Sequence, residues 1–152
     1  MGNVTRILVI DDDKNIRETL SLALETEGFI VDTACNGKEA ISKSLENFYN
    51  VAIIDWRLPD IEGTILLGEL KDTTPKMVKI MLTGFPSINN AIDAVNNFAD
   101  AFLVKPVEME ELLKKIKALL KKQEQENEYN EDKMTSFLET RVKMITQPDP
   151  KK

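Results

Sequence analysis

The sequence predicts a doubly wound α/β fold, in which helices cover both faces of a parallel sheet. Five short apolar runs of strand length recur along the chain, and stretches with helical spacing of apolar residues separate them. The strand runs hold almost no polar positions, so neither face of the sheet is expected to contact water. At 152 residues the chain has room for one such domain and some thirty further residues.

The predicted elements alternate regularly along the chain. The strand runs cover Arg6–Ile10, Ile30–Ala34, Val51–Ile54, Met77–Leu82 and Ala101–Val104. Helical spacing of Ile16, Leu20 and Leu24 predicts the first helix, which Gly28 ends as a C-terminal cap. The remaining predicted helices cover Lys38–Asn47, Thr64–Lys71, Ile88–Asn97 and Glu108–Lys122.

The last thirty residues differ in composition from the rest. Residues 121–133 are almost wholly polar, which is typical of a linker or of a solvated helix extension. Apolar residues then return at helical spacing: Met134, Phe137, Leu138, Val142 and Ile145. We expect a domain over residues 1–122, and a polar linker with a short C-terminal helix or flexible tail over 123–152. The apolar stripe is suited either to docking on its own domain or to facing a partner.

Composition excludes several classes of function. The chain has no histidine, which rules out histidine-based triads, imidazole metal sites and a phosphohistidine on this chain. Its net charge of −6 disfavours binding to nucleic acid or to anionic membranes. No apolar run reaches the length of a membrane helix, so we expect a cytoplasmic protein. The single cysteine, Cys35, is expected to be a small buried apolar residue in a reducing compartment.

Polar side chains follow four of the five predicted strands at their carboxyl ends, where ligands bind in open parallel sheets. The first run leads into an acidic triplet, residues 11–13, and the others lead into Asp55, Thr83 and Lys105. Carboxylates from neighbouring strand ends repel unless a cation lies between them, and an oxygen-only donor set favours Mg²⁺. A phosphoryl group would complete the charge balance, with Asp55 as its covalent acceptor. The Thr83 hydroxyl and the Lys105 ammonium would contact the phosphoryl oxygens.

Four segments that contain these residues resemble, in order, the signature motifs of the receiver domain of two-component response regulators. ILVIDDDKNIR (7–17) is similar to the acidic segment of that family, and DWRLPDIEG (55–63) to its phosphoacceptor loop. MLTG (81–84) and AFLVKP (101–106) match its two other motifs. The resemblance covers residues 4 to about 122. It implies a flavodoxin-like (βα)5 sheet in the strand order 2-1-3-4-5.

The resemblance implies a metal and phosphoacceptor role for the acidic residues. Asp55 would be the phosphoacceptor. Asp12 and Asp55 would bind Mg²⁺ directly, Asp11 would act through water, and Arg57 would contribute its backbone carbonyl. The phosphoryl donor would be a histidine kinase or a phosphotransfer protein on another chain, because this chain has no histidine. The protein would catalyse only its own phosphorylation and dephosphorylation.

A switch role follows from the same resemblance. Thr83 would move towards the phosphoryl group, and Phe102 occupies the switch-aromatic position three residues before Lys105. Two large residues that flank the site, Arg57 and Phe85, are expected to slow the approach of water and to prolong the phosphorylated state. Output is expected through a downstream protein target, without direct binding to nucleic acid, and a homodimer is compatible with the sequence. Trp56 is expected to be an exposed loop aromatic near the site.

Two other functions fit part of the pattern. In a Mg²⁺-dependent phosphohydrolase of the haloacid dehalogenase type, Asp11 would be the nucleophile and Asp13 the general acid. Against this, Asn15 stands where such enzymes have threonine or valine, no acidic pair follows Lys105, and Asp55 is left without a role. A scaffold that keeps the fold but not the chemistry would have no use for the intact set of acids, threonine and lysine.

Overall fold

The computed structural model describes residues 4–73, 75–84, 87–96 and 99–146. The strands are β1 (Arg6–Ile10), β2 (Ile30–Ala34), β3 (Val51–Asp55), β4 (Val78–Thr83) and β5 (Ala101–Val104). The helices are α1 (Lys14–Thr26), α2 (Gly37–Glu46), α3 (Gly63–Glu69), α4 (Ile88–Asn96) and α5 (Met109–Thr146). All strands are parallel and follow the order β2-β1-β3-β4-β5. The predicted class and the implied strand order are confirmed.

The buried strands fill two hydrophobic clusters, one on each face of the sheet. Because successive side chains of a strand point to opposite faces, Leu8 and Ile10 of β1 enter one cluster while Ile7 and Val9 enter the other. Helices α2, α3 and α4 cover the Leu8 face, and α1 and α5 cover the Ile7 face. Every residue of β3 and β4 is buried, which explains why these runs show no polar alternation.

Helix α1 ends where the sequence predicts, and the structure shows what caps its start. The Asp13 carboxylate accepts hydrogen bonds from the backbone N–H groups of Asn15 at 2.8 Å and Ile16 at 3.4 Å, so it caps the helix. Gly28, with φ of +95°, follows the last turn in the left-handed conformation that favours glycine. The predicted bounds of the other helices before α5 differ from those observed by one or two residues.

Helix α5 is longer than expected, since residues 121–133 continue it without interruption. Lysine, glutamate and glutamine favour helix, so this polar stretch forms a solvated extension and not a break. Gln123 lies at the start of the predicted tail but is buried, and its amide donates to the carbonyls of Asn50 at 3.0 Å and Lys76 at 2.8 Å. Its amide oxygen accepts from Asn50 Nδ2 at 3.3 Å. Residues 147–152 lie outside the described part of the chain.

The expected burial of Cys35 is wrong. This cysteine follows β2, an edge strand of the sheet, and it is exposed. Its thiol and its backbone N–H both donate to Glu39 Oε2, at 3.0 and 3.1 Å. The hydrogen bond from the thiol to Glu39 is the main cause that raises the pKa of Cys35. In the described ranges, no helix is both long enough and apolar enough to cross a membrane, the long α5 included.

The loop after β3 folds back onto the strand that precedes it. The N–H of Gly63 donates to the carbonyl of Trp56 at 2.8 Å, and Arg57 and Glu62 form an isolated antiparallel bridge. A Cβ atom at position 63 would lie 2.6 Å from the carbonyl oxygen of Asp55 and 2.7 Å from Cε of Met81. This approach leaves space only for glycine, so the loop is fixed directly against Asp55.

Replacing Gly63 with alanine should lower the free energy of unfolding by about 1–3 kcal/mol, because the added methyl group must displace backbone. Gly68→Ala is the matched control. Nothing lies within 4 Å of a Cβ there, and the site is an exposed position of α3, so about 0.5–1 kcal/mol of stabilisation is expected. Urea unfolding measures both. Equal effects of the two substitutions would contradict the close approach at Gly63.

Candidate functional site

Three carboxylates meet at the carboxyl edge of the sheet. Asp11 directly follows β1 and Asp55 ends β3, and the pairing of Ile10 with Ile54 brings these two strand ends side by side. One carboxylate oxygen each from Asp11, Asp12 and Asp55 lies within 4.8 Å of the others. Asp11 and Asp55 are only 2% and 8% exposed, whereas Asp12 is exposed to solvent. The cluster therefore has two buried acids and one acid at its mouth.

The ammonium group of Lys105 lies between the two buried acids. Its Nζ donates to Asp11 Oδ2 at 3.0 Å and to Asp55 Oδ1 at 3.1 Å. The backbone places it there, since the Lys105 N–H donates to the carbonyl of Thr83 at 2.7 Å and prolongs the β4–β5 pairing. The Lys105–Pro106 peptide bond is cis, a geometry that the sequence permits. Residues far apart along the chain thus form one charged site.

The electrostatics of the site favour an additional cation. Burial raises the pKa of the Asp55 carboxyl, and the negative charge of Asp11 raises it further. The hydrogen bonds from Lys105 and from the backbone N–H of Arg57 lower this pKa, but the net effect is still a raised pKa. Burial also disfavours the charged form of Lys105, but the hydrogen bonds and charges of Asp11 and Asp55 outweigh it and raise the pKa of the ammonium. Three carboxylates against one ammonium leave two negative charges.

The three acids of residues 11–13 have different roles: Asp11 and Asp12 belong to the carboxylate cluster, and Asp13 does not. Asp13 caps α1 with its carboxylate, while its backbone N–H donates to Asp11 Oδ1 at 2.9 Å. Arg17 Nη1 donates to the carbonyl of Asp11 at 2.7 Å, which holds the first acid in place from the following helix. Asp13 is therefore engaged in helix capping and in orienting Asp11, and not in the carboxylate cluster.

Thr83 and Arg57 lie beside this cluster. Thr83 ends β4 and is 1% exposed, and the pairing of Asp55 with Leu82 places it next to the phosphoacceptor candidate. Arg57 is two residues beyond Asp55, with an exposed side chain, and its backbone N–H bonds to the Asp55 carboxylate. Phe85, predicted to flank the site with Arg57, lies outside the described residues.

Trp56 joins the site to the last strand. The sequence-based expectation of an exposed loop aromatic is wrong, because Trp56 is 9% exposed and belongs to the cluster that contains Ile54. Its N–H donates to the carbonyl of Leu82 at 2.9 Å, so strand pairing continues past Asp55 and Trp56 shares the face of Ile54. The Trp56 and Phe102 rings meet edge to face, with centroids 6.3 Å apart and planes at 83°.

Sequence reasoning missed three residues that shape the site. Trp56 follows Asp55, and the uniformly apolar run of β3 has no alternation that could have signalled its burial. Gly63 carried only a general turn signal, and the close approach to Asp55 shows in three dimensions alone. The bond from Arg17 to the Asp11 carbonyl had no sequence signal beyond a position one turn into α1.

Comparison with known proteins assigns the family. The chain matches the response regulator receiver domain over residues 7–117. This protein belongs to the receiver domain family. It is 34% identical over 128 residues to the transcriptional regulatory protein ResD of Bacillus subtilis, covering 84% of this chain and 53% of ResD. The chain spans about half the length of the curated relatives it matches.

Solved receiver structures share the fold. A CheY-like response regulator receiver domain protein from Methanospirillum hungatei aligns with a TM-score of 0.78 and 42% identity, covering 82% of this chain and 99% of that chain. A response regulator protein from Burkholderia pseudomallei, solved with a phosphorylated aspartic acid and a calcium ion, aligns with a TM-score of 0.68 and 34% identity. That alignment covers 72% of this chain and 64% of the other. The chain is a signalling receiver domain of the two-component type.

Removing one buried acid should stabilise this receiver domain without metal. Asp55→Asn should raise the free energy of unfolding at pH 7 in a chelating buffer, because a carboxyl with a raised pKa costs stability when ionised. The difference from the parent should vanish below the ordinary pKa of 3.8, where both forms are neutral. Lys105→Met should destabilise at pH 7, since it leaves both acids uncompensated. Urea unfolding across pH tests both signs; a stability loss in Asp55→Asn would contradict the charge imbalance.

Proposed function

We propose that this receiver domain is a phosphorylation-controlled switch, in which Asp55 accepts a phosphoryl group from a histidine kinase or phosphotransfer protein on another chain. The observation that carries the proposal is the position of the Lys105 ammonium between Asp55 and Asp11, beside Asp12. Lys105 contacts two buried acids, and the third acid of the cluster, Asp12, is exposed to solvent. Asp55 can therefore be reached from solvent along an acidic, polar path beside Asp12. Such a site suits a reaction between a carboxylate and a metal-complexed phosphate.

The donor set fits Mg²⁺. Asp12 and Asp55 would hold the ion directly, Asp11 would act through water, and the backbone carbonyl of Arg57 would complete the protein ligands. Only oxygen atoms are offered, and a cluster of three carboxylates suits a divalent hard ion. When bound, Mg²⁺ supplies charge neutralisation and alignment of the phosphoryl oxygens.

The residues of the chain then have separate tasks in the transfer. A carboxylate oxygen of Asp55 attacks phosphorus, the bond from phosphorus to the donor's histidine nitrogen breaks, and an acyl phosphate forms on Asp55. The Lys105 ammonium pairs with a phosphoryl oxygen in place of the Asp55 oxygen that it contacts at 3.1 Å. The Thr83 hydroxyl donates to another phosphoryl oxygen. Attack of water on phosphorus returns free phosphate and the Asp55 carboxylate.

The conformational change extends from Thr83 to Phe102 and to its aromatic neighbour, Trp56. Movement of Thr83 towards the phosphoryl group leaves space that Phe102 can take, and Phe102 contacts Trp56, the residue that follows Asp55. To change the ratio of active to inactive conformations from 1:99 to 99:1, phosphorylation must favour the active conformation by about 5.5 kcal/mol. The phosphorylated aspartic acid in the Burkholderia pseudomallei relative supports this use of the fold.

The partners outside the site remain proposals. The relatives matched over about half their length include a transcriptional regulatory protein, ResD, so the absence of direct nucleic-acid binding by this protein stays a prediction. A downstream protein target and a cytoplasmic location stay predictions as well. The net charge of −6 supports a protein partner over nucleic acid.

The phosphohydrolase alternative is disfavoured by Asp13. As a general acid this residue would have to point into the site, but it caps α1 through Asn15 and Ile16. With Asp11 as the nucleophile, the buried Asp55, which Lys105 contacts at 3.1 Å, would be left without a role. The switch uses every charged group of the cluster.

Incubation with acetyl phosphate and Mg²⁺ should place one phosphoryl group on Asp55, labile to acid and to alkali as an acyl phosphate is. Asp55→Asn should abolish the label, since the amide cannot form an acyl phosphate. Asp13→Asn keeps a capping side chain and is the matched control, expected to label like the parent. Peptide mapping after borohydride reduction locates the modified residue, and Trp56 emission follows the reaction. Label on Asp11, with turnover of small phosphate esters, would establish the phosphohydrolase instead.

Mg²⁺ should stabilise the protein through Asp12. At one hundred times its dissociation constant, the ion should add about 2.7 kcal/mol to the free energy of unfolding. Asp12→Ala should remove most of this gain while changing metal-free stability little, because Asp12 is exposed. Asp13→Asn should retain the gain. Thermal unfolding with and without Mg²⁺ gives the answer, and an unchanged Mg²⁺ effect in Asp12→Ala would reject Asp12 as a ligand.

A further inference from the structure

The far part of α5, residues 126–146, carries an apolar stripe in contact with solvent; we call it the tail segment. Met134, Leu138 and Ile145 are 60%, 54% and 79% exposed. At 100° per residue they lie on the same side of α5 as Ile116, which packs in the core under the sheet. The face that docks α5 on its own domain therefore continues past the end of that domain.

Charged residues interrupt this stripe at regular positions. The spacing alternates between three and four residues, as in the seam of a coiled coil, through Asn127, Glu131, Met134, Leu138, Arg141 and Ile145. The seam thus has an apolar pair in the middle, an acid on one side of it and a base on the other. Polar residues at such positions specify the register and direction of pairing between helices.

Both seam charges are held along the helix by a neighbour one turn away. Asn127 Nδ2 donates to Glu131 Oε1 at 3.3 Å, and the Arg141 guanidinium lies 5.9 Å from the centroid of the Phe137 ring. Phe137 is itself 59% exposed, so this stacked pair widens the apolar surface beside Leu138. The long side chain of Arg141 can cover apolar surface while its charged end reaches the rim.

The pattern of charge is complementary to itself only in the antiparallel direction. Parallel pairing in register would set Glu131 against Glu131 and Arg141 against Arg141. Antiparallel pairing centred on residue 136 sets Glu131 opposite Arg141 of the second copy, twice, and Met134 opposite Leu138. Residues 126–133 carry a net charge of −3 and residues 134–146 a net charge of +1, so the surrounding charges agree.

We propose that the tail segment pairs with the tail segment of a second copy of this chain, as an antiparallel two-helix coiled coil. The overlap of residues 126–146 amounts to three heptads, which is about the shortest length that supports a coiled coil. The dimer is therefore reversible, and its affinity falls with rising salt because the seam charges are near the surface.

Charge exchange in the seam tests the pairing. Sedimentation equilibrium should show a dimer of the parent protein, and Arg141→Glu or Glu131→Arg alone should raise its dissociation constant at least about tenfold, because each creates two like-charge pairs. The double exchange Glu131→Arg with Arg141→Glu should return the constant to within about threefold of the parent. Lys143→Glu is the matched control: it makes the same change in net charge outside the seam, and should stay within about threefold.

A distance measurement tests the direction. A nitroxide on Gln125→Cys, in a Cys35→Ser background, should give two labels about 33 Å apart along the antiparallel axis, from 22 residues at about 1.5 Å each. A parallel dimer would bring the labels within about 15 Å of each other. Electron–electron double resonance measures this distance and so distinguishes antiparallel from parallel pairing.

Any of three results would overturn the proposal: a parent protein that stays monomeric at high concentration, a short label distance, or a double exchange that fails to restore pairing. Circular dichroism of each variant confirms that α5 remains helical, so loss of the helix cannot be mistaken for loss of pairing. None of the substitutions lies at the carboxylate cluster, so phosphorylation of Asp55 remains measurable in every variant.

Discussion

The site depends on one electrostatic constraint, which is that three carboxylates lie close together while the Lys105 ammonium bonds to two of them. A parallel sheet brings the ends of β1 and β3 together, and burial of Asp11 and Asp55 prevents water from screening their repulsion. Lys105 compensates one charge and bonds to both acids, which fixes its own strand end as well. The site is therefore acidic and accessible to solvent at Asp12. Such a site suits a divalent ion and a phosphate bound to that ion.

The surroundings of Asp55 combine a rigid side and an adaptable side. On the rigid side, Gly63 lets the loop after β3 press against the Asp55 backbone, where a larger residue would collide. On the adaptable side, Trp56 meets Phe102 through a single edge-to-face contact. Such a contact is worth about 0.5–1.5 kcal/mol, small against the roughly 5.5 kcal/mol that a complete switch requires. Exchange of this contact would therefore cost only a small part of the free energy that the proposed switch at Phe102 needs.

The site residues at the strand ends could be predicted, because polar side chains directly after apolar runs lie at one edge of a parallel sheet. Asp11, Asp12, Asp55, Thr83 and Lys105 each follow an apolar run, and a parallel sheet places all such positions at one edge. Burial of Trp56 was not predicted, because this residue stands between Asp55 and turn-forming residues, where the apolar run of β3 has already ended. The continuity of α5 was not settled either, since a polar segment suits a linker as well as a solvated helix. Gln123 anchors the start of this extension on the domain, and its amide bonds to two distant backbone carbonyls carry no local sequence signal.

Helix α5 links the two ends of the molecule mechanically. It begins four residues after Lys105, and its 38 residues span about 57 Å. Between the site and the tail segment stands Gln123, bonded to Asn50 and Lys76 at the amino edge of the sheet. A displacement that starts at β5 reaches the tail segment only if those bonds move with it or are exchanged. Any coupling between phosphorylation and pairing would be reciprocal, with each changing the other's equilibrium by the same factor. If the Gln123 bonds neither move nor exchange, no displacement passes along α5, and the proposed pairing would be independent of the chemistry at the strand ends.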